Sequence, residues 1–193
     1  MATSYFSNFP SISYNLPLLP NLVQATDVTR RFILRDFYKR NLLSFFTYDI
    51  ADGERPDLVA FALYGDSMLD WLILLPNEIL DPYYQWPLST NQLNDYIRKK
   101  YGSISAAMAE IHRYEQIIRQ RTTYTNNDGE TIIIPEHSLI VDQTTYTSLS
   151  PSSRRLISKF DHETTLNDKR RNISIIDPNQ APGIIELFRN LYR

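Results

Sequence analysis

Apolar residues crowd most densely between Leu42 and Leu88, and their spacing changes along that stretch. LLSFFTYDI (42–50) is rich in aromatics, is followed by the turn-forming ADGERP, and predicts a strand. PDLVAFALYG (56–65) then reads as a short helix. Pro56 takes its first position, Asp57 faces its positive end, and Gly65 suits the left-handed position past its last turn. Ser67 is expected to cap a second helix, SMLDWLILLPN, which stops at Pro76. Beyond Asp70 this helix is apolar on every face. It therefore has to be buried on all sides, by neighbouring segments or by another chain.

Further along, Ser89 or Thr90 caps STNQLNDYIRKKYG, with Leu93, Tyr96 and Ile97 on one face and Gly102 as its stop. SISAAMAEIHRYEQIIRQR (103–121) reads as an amphipathic helix, because Ala107, Ile111, Tyr114 and Ile118 recur at helical spacing. TTYTNNDGETIII places β-rich flanks around Asn127, Asp128 and Gly129, a hairpin signal. The pattern from His137 to Phe160 is ambiguous. RNISIID (171–177) alternates as a strand, and 178–193 ends in a short helix carrying Ile184, Ile185, Leu187, Phe188 and Leu191.

The first 24 residues, with prolines at 10, 17 and 20, read as an extended arm. Tyr5, Phe6, Phe9, Ile12 and Tyr14 make it too apolar for a free tail. It lies either across its own domain or on a partner, and the reading leans toward a partner. Thr26 or Asp27 is expected to cap a turn. TRRFILRDFYKR (29–40) is basic and apolar together, and its pattern leaves strand and helix open.

Composition narrows the function more than it identifies it. The 193 residues hold 20 basic and 22 acidic side chains, for a net charge of -2. A dedicated nucleic-acid binder would be clearly basic. There is no cysteine, so disulfides and thiolate chemistry are excluded. No basic residue precedes Arg30 and no long apolar run opens the chain, so no secretory signal is expected. No apolar run approaches the length of a bilayer span, and a soluble protein without membrane contact is expected. Thirteen tyrosines and nine phenylalanines against five glycines suit packing and interfaces.

Catalytic signatures are missing. The sequence contains no nucleophile elbow, dinucleotide loop or P-loop. His112, His137 and His162 are far apart in sequence. Asp161-His162-Glu163 reads as an exposed polar turn rather than a metal or acid–base site. Asp52, Glu54, Asp57, Asp66, Asp70, Glu78 and Asp81 crowd one stretch, but crowding does not supply two carboxylates across a cleft. A hydrolase using two of them is the least favoured reading, and no enzyme activity, metal or cofactor is expected. Tyr83, Tyr84 and Trp86 suit sugar stacking or an interface, with core packing as the plainer alternative. The basic pieces at 29–40 and DKRRN read as solvated faces or ion pairs to a protein neighbour.

The joint pattern Glu54-Arg55-Pro56, Tyr64-Gly65-Asp66, Leu69-Asp70-Trp71, Asp81-Pro82-Tyr83-Tyr84 and Trp86 resembles the baseplate wedge protein 53 family of contractile-tailed bacteriophages. KRRNISIIDPNQAPGIIELFRNLY resembles the family's closing strand and helix more loosely, and the middle of the chain carries little resemblance. The same core is similar to a LysM module, a β-α-α-β unit, with Pro56, Tyr64, Gly65, Asp66, Leu69 and Trp71 as its motif.

The resemblance implies an α+β fold in three parts. These are an arm and lead-in over 1–41, a LysM-like core over 42–90, and a helical and hairpin extension with a closing strand and helix over 91–193. It implies a structural virion subunit, assembled in the host cytoplasm and present in several copies in a symmetric tail baseplate. Its partners would be other wedge proteins and the central hub. The candidate interface is Tyr5, Phe6, Phe9, Tyr14, Asp81, Tyr83, Tyr84 and Trp86. The alternative is a LysM-type peptidoglycan-binding module of a virion-associated cell-wall protein. The tail DPYYQWPLS and the long flanking arms depart from such modules.

Overall fold

The structure, a computed structural model, describes residues 4–15, 22–30 and 45–191. The basic stretch expected at 29–40 falls almost wholly outside them. The fold is α+β and divides into two compact units, Met1–Ser89 with Asp168–Arg193, and Thr90–Asn167.

The first unit is built on β3 (Phe45–Asp49), whose antiparallel partner is β9 (Asn172–Ile176), with Phe45 opposite Ile176 and Asp49 opposite Asn172. The strand that completes this sheet thus comes from far along the chain. Helix α1 (Pro56–Tyr64) follows β3 with Pro56 at its start, and Gly65 ends it at φ 75°. Its amide donates to the Phe61 carbonyl. A side chain at Gly65 would meet no neighbour, so what the position requires is its left-handed backbone, which glycine adopts freely.

The expected second helix is broken in two. Ser67–Leu69 forms a 3-10 turn and Trp71–Leu74 forms α2. The cap is Asp66 rather than Ser67, because its carboxylate is the group that accepts from the Met68 amide. Past α2, Glu78 takes a left-handed φ of 56° while Ile79 donates back to the Leu74 carbonyl. This is a Schellman-type ending at a position that ordinarily favours glycine.

The all-apolar character of α2 has a physical answer within the chain. Trp71 and Leu72 enter one cluster with Phe9, Leu69, Ile176, Ile184 and Phe188. Ile73 enters another with Ile50, Val59, Trp86, Ile173 and Ile175. Strand β9 feeds both, Ile176 from one face and Ile173 and Ile175 from the other. Its outer edge is closed by side chains. The Tyr64 hydroxyl donates to the Ile176 carbonyl at 2.9 Å. Asn77 bonds both the amide and the carbonyl of Ser174, at 2.9 and 2.8 Å. The closing helix expected over 178–193 is present as α8 (Ala181–Leu191) and supplies Ile184 and Phe188.

The described start of the arm packs on its own unit through Tyr5 and Phe9, against the leaning toward a partner. Tyr5–Asn8 is a 3-10 turn, and β1 (Ser11–Tyr14) pairs with β2 (Val23–Thr26). The Tyr5 ring stacks on Phe188 with centroids 5.4 Å apart. Asp27 ends the hairpin, accepting from the Thr29 amide and hydroxyl and from Arg30.

In the second unit, α4 (Thr90–Tyr101) stops at Gly102, as expected, with Leu93 and Ile97 buried and Tyr96 exposed. The long helix expected over 103–121 is corrected. Only α5 (Ile104–Ala109) is helical, capped by Ser103, and the chain continues as β4 (Ile111–Arg119). β4 is the middle strand of a sheet ordered β7–β4–β8, with β7 (His137–Val141) and β8 (Arg154–Ser158). Pairing on both edges outweighs an i, i+4 pattern that IHRYEQIIR satisfies only incidentally. The predicted hairpin is present as β5 (Thr122–Thr125) and β6 (Thr131–Ile134). The ambiguous stretch yields β7, α6 (Gln143–Ser148), β8 and α7 (Lys159–Lys169).

Both tryptophans lie in the first unit, in the two clusters that flank α2, so their fluorescence reports that unit. Phe188→Ala should destabilise it by about 3–5 kcal/mol, read as a lower urea midpoint in tryptophan emission. A change below about 1 kcal/mol would mean that α8 is not part of this core.

Candidate partner-binding surface

The groups suited to catalysis are occupied by structural work. Asp161-His162-Glu163 lies on α7 rather than in a turn. Ser158 and Asp161 form a reciprocal cap, the Asp161 amide donating to the Ser158 hydroxyl and the Ser158 amide to the Asp161 carboxylate. Glu163 is buried and accepts from Lys100 Nζ and the Tyr101 hydroxyl, each at 2.7 Å. Burial pushes its carboxyl up, but these hydrogen bonds outweigh burial and hold it below its ordinary value.

Of the three histidines, His137 starts β7, whereas the His112 and His162 rings stack with centroids 3.7 Å apart. Among the described residues no group of three His, Cys, Asp or Glu side chains converges on a metal position. Among the described residues no helix is long and apolar enough to cross a membrane.

The crowded acids likewise have local partners. Asp57 is bonded by Arg55 and Asp52 by Arg171. Asp66 accepts from Met68 and Asp81 from Tyr83, each from a backbone amide. Glu54 takes the Tyr48 hydroxyl at 2.8 Å. Asp70 is pushed up by burial. The basic DKRRN is structural too: Arg171 also donates to the Ile50 carbonyl, and Arg170 to the Tyr84 carbonyl.

The aromatic candidates separate into two groups. Trp86 is only 7% exposed, and its indole N–H donates to the Glu54 carbonyl at 2.7 Å. Phe9 is 6% exposed, within ring-contact distance of Tyr5, Phe6 and Phe188. Both are corrected from interface to core. Tyr5 packs partly buried on the same cluster. Phe6 and Tyr14 remain exposed. The core-motif residues Pro56, Tyr64, Gly65, Asp66, Leu69 and Trp71 occupy the helix start, edge bond, helix end, cap and cluster positions given above.

Tyr83 and Tyr84 stand out. They are 79% and 70% exposed, edge to face with centroids 4.9 Å apart. They sit on α3 (Pro82–Gln85), a single helical turn whose backbone is held from several directions. Asp81 caps its start. Gln85 Oε1 accepts from the Leu80 and Asp81 amides at 2.7 and 2.9 Å. Arg170 bonds the Tyr84 carbonyl, and buried Trp86 fixes the exit. Leu80 beside them is exposed as well. The roles of Gln85 and Arg170 were not legible along the chain, since neither residue type marks a turn brace. Leu58 and Phe61, outward on α1, form a further exposed apolar surface that the sequence reading did not separate from the buried face.

A family model described as base plate wedge protein 53 matches residues 5–129. The chain belongs to this family. Baseplate wedge protein gp53 of Enterobacteria phage T4 is 30% identical over 123 residues, covering 62% of this chain and 53% of that protein. The chain thus spans about half the length of the curated relative it matches. The match takes in the arm, β3, α1, α2 and the Tyr83–Tyr84 turn, but not β9 or α8. In this member of the wedge protein 53 family, the residues that close the core therefore lie beyond the matched stretch.

The histidine stack sets a pH dependence. Burial holds His162 below its ordinary 6.5, with the His112 ring, Arg113 and Lys100 acting in the same direction and Glu163 opposing them. The folded state thus favours the neutral ring, so its stability contribution is present above 6.5 and is lost as pH falls below it. Glu115 and Glu163 are held low and lose stability only below their ordinary 4.5. Between about pH 7.5 and 5.5 the melting temperature should fall, and His162→Gln should flatten that fall. An unchanged slope in the variant would rule the stack out as its source.

Proposed function

We propose that this protein is a structural, non-enzymatic subunit of a phage tail baseplate wedge, located in the virion and assembled in the host cytoplasm. In this reading it joins other wedge proteins and helps wedges associate around the central hub, in several copies. Family membership supports the baseplate setting. The observation that carries the interface is the braced α3 turn, which fixes its backbone while leaving Leu80, Tyr83 and Tyr84 in water. Rings of this kind held in place before contact are the expected form of an interface hot spot. Phe6, Tyr14 and Asp81 remain candidate contacts beside them.

We also read β3, α1, α2 and β9 as a LysM-like β-α-α-β unit whose second strand is supplied after a long insertion. The order strand, two short helices, antiparallel strand supports this reading. Peptidoglycan binding is not favoured for it. Trp86, the ring best suited to stacking on a sugar, is buried and its N–H is used internally. Tyr83 and Tyr84 meet edge to face instead of forming one flat surface.

Co-expression with candidate wedge and hub proteins, followed by affinity capture, tests the reading. The wild-type chain should hold at least one wedge protein. Tyr83→Ala and Tyr84→Ala should each weaken capture by about 2 kcal/mol, roughly thirtyfold, with unchanged tryptophan emission. A wild-type chain that stays monomeric and captures none of them would sink the proposal.

A further inference from the structure

The tripeptide Asp-Gly-Glu occurs twice, at 52–54 and at 128–130, and no other aspartate is followed by glycine. The two copies sit in opposite surroundings. Asp52 lies just past β3 and the buried Ile50. Arg171 Nη2 donates to its carboxylate at 3.0 Å, and the same guanidinium holds the Ile50 carbonyl. A Cβ at Gly53 would lie 3.7 Å from the Ser89 Cβ, so this turn is packed as well as bonded. Asp128 stands at the exposed tip of the β5–β6 hairpin, and no hydrogen bond or ion pair among the described residues reaches its carboxylate. Gly129 is surrounded by open space. Every strand residue of this hairpin except Ile134 is exposed, and neither strand enters a core cluster. A two-stranded hairpin with no core behind it opens at low cost. Opening frees the Gly129 amide, which in the closed tip donates to the Asn126 carbonyl at 3.1 Å.

We propose that Asp128 is a site of spontaneous covalent modification, isomerising to isoaspartate through a cyclic imide with Gly129. The Gly129 nitrogen attacks Cγ of the Asp128 carboxylic acid. The N–Cγ bond forms, the bond from Cγ to the acid hydroxyl breaks, and the hydroxyl leaves as water with the amide proton. Water then opens the ring. Attack at the Asp128 main-chain carbonyl breaks its bond to the Gly129 nitrogen, and the chain then runs through Cγ, one carbon longer. Attack at Cγ returns aspartate. One water is lost and one is regained, and no other reactant enters. Glycine favours the step, because without a Cβ its backbone turns freely to bring the nitrogen to Cγ. The Asp128 carboxyl is free to swing toward that nitrogen, whereas Arg171 holds the Asp52 carboxylate in place. The added carbon lies beside the Thr125–Thr131 pair and loosens a hairpin that carries exposed Tyr124, Ile132 and Ile133.

The full chain, aged in warm, mildly acidic buffer and then digested, tests this. Isoaspartate is read at each Asp-Gly step by fragmentation mass spectrometry and by enzymatic carboxyl methylation with labelled S-adenosylmethionine. In the folded chain it should accumulate at Asp128 at least about tenfold faster than at Asp52, through readier local opening. In urea the two identical tripeptides should react at similar rates, because only the fold distinguishes them. Asp128→Glu, which would need a larger ring, should remove the folded-state signal while keeping the charge. Equal rates in the folded chain, faster reaction at Asp52, or the same excess of Asp128 in urea would each overturn the proposal. So would methylation undiminished in Asp128→Glu, or isoaspartate at Asp128 that forms in urea alone.

Discussion

Helix α2 is the constraint on which the first unit depends. Four consecutive large apolar side chains leave no face that tolerates water, so the helix exists only where both sides are covered. Strand β9 resolves this by feeding one cluster with Ile176 and the other with Ile173 and Ile175. α8 then completes one of them with Ile184 and Phe188. The consequence is a long-range closure, in which residues near 71 are stable only once residues near 173 and 188 are in place. Such contacts carry a large loop-closure cost and slow folding.

The same closure determines how the polar groups are satisfied. Among the described residues β9 has one partner strand, and its other edge would offer bare amides and carbonyls. Tyr64 and Asn77 cover that edge through side chains, which ties the end of α1 and the turn after α2 to the strand. At the other end of the sheet, Arg171 joins the Ile50 carbonyl and Asp52, and Arg170 reaches Tyr84. The tyrosine turn is therefore tied to the closing strand through Arg170, which precedes β9 and bonds the Tyr84 carbonyl. The exposed tyrosines and the core share one scaffold.

Local chemistry was legible in the sequence wherever one residue determines one geometry. Pro56 and Gly65 bound α1, Gly102 ends α4, and the Asn-Asp-Gly tip forms its hairpin, because each depends on backbone preference alone. Long-range chemistry was not legible. IHRYEQIIR meets helical spacing at Ile111, Tyr114 and Ile118, yet neighbours on both sides make it a strand. Its central Glu115 is buried, and only Arg113, Arg155 and Ser138, partly from distant strands, make that tolerable. Trp86 looked like an exposed anchor because sequence lists neighbours along the chain, whereas its hydrogen-bond partner is Glu54. For the same reason Phe9 read as an interface residue of the arm, whereas its ring meets Phe188.

The carboxylates crowded into residues 45–89 work against the first unit, since like charges drawn into one fold repel. Where the fold cannot tolerate a bare carboxylate, it supplies a cation or an amide. Arg55 and Arg171 serve Asp57 and Asp52, and backbone amides serve Asp66 and Asp81. A charge solved by an amide is only redistributed, because the amide is neutral and the carboxylate keeps its full field toward solvent. Asp81 is the case that matters. Its backbone role fixes the tyrosine turn, and its charge remains at the surface where Tyr83 and Tyr84 are most exposed. One residue thus fixes the backbone of the turn while keeping its own charge at the surface.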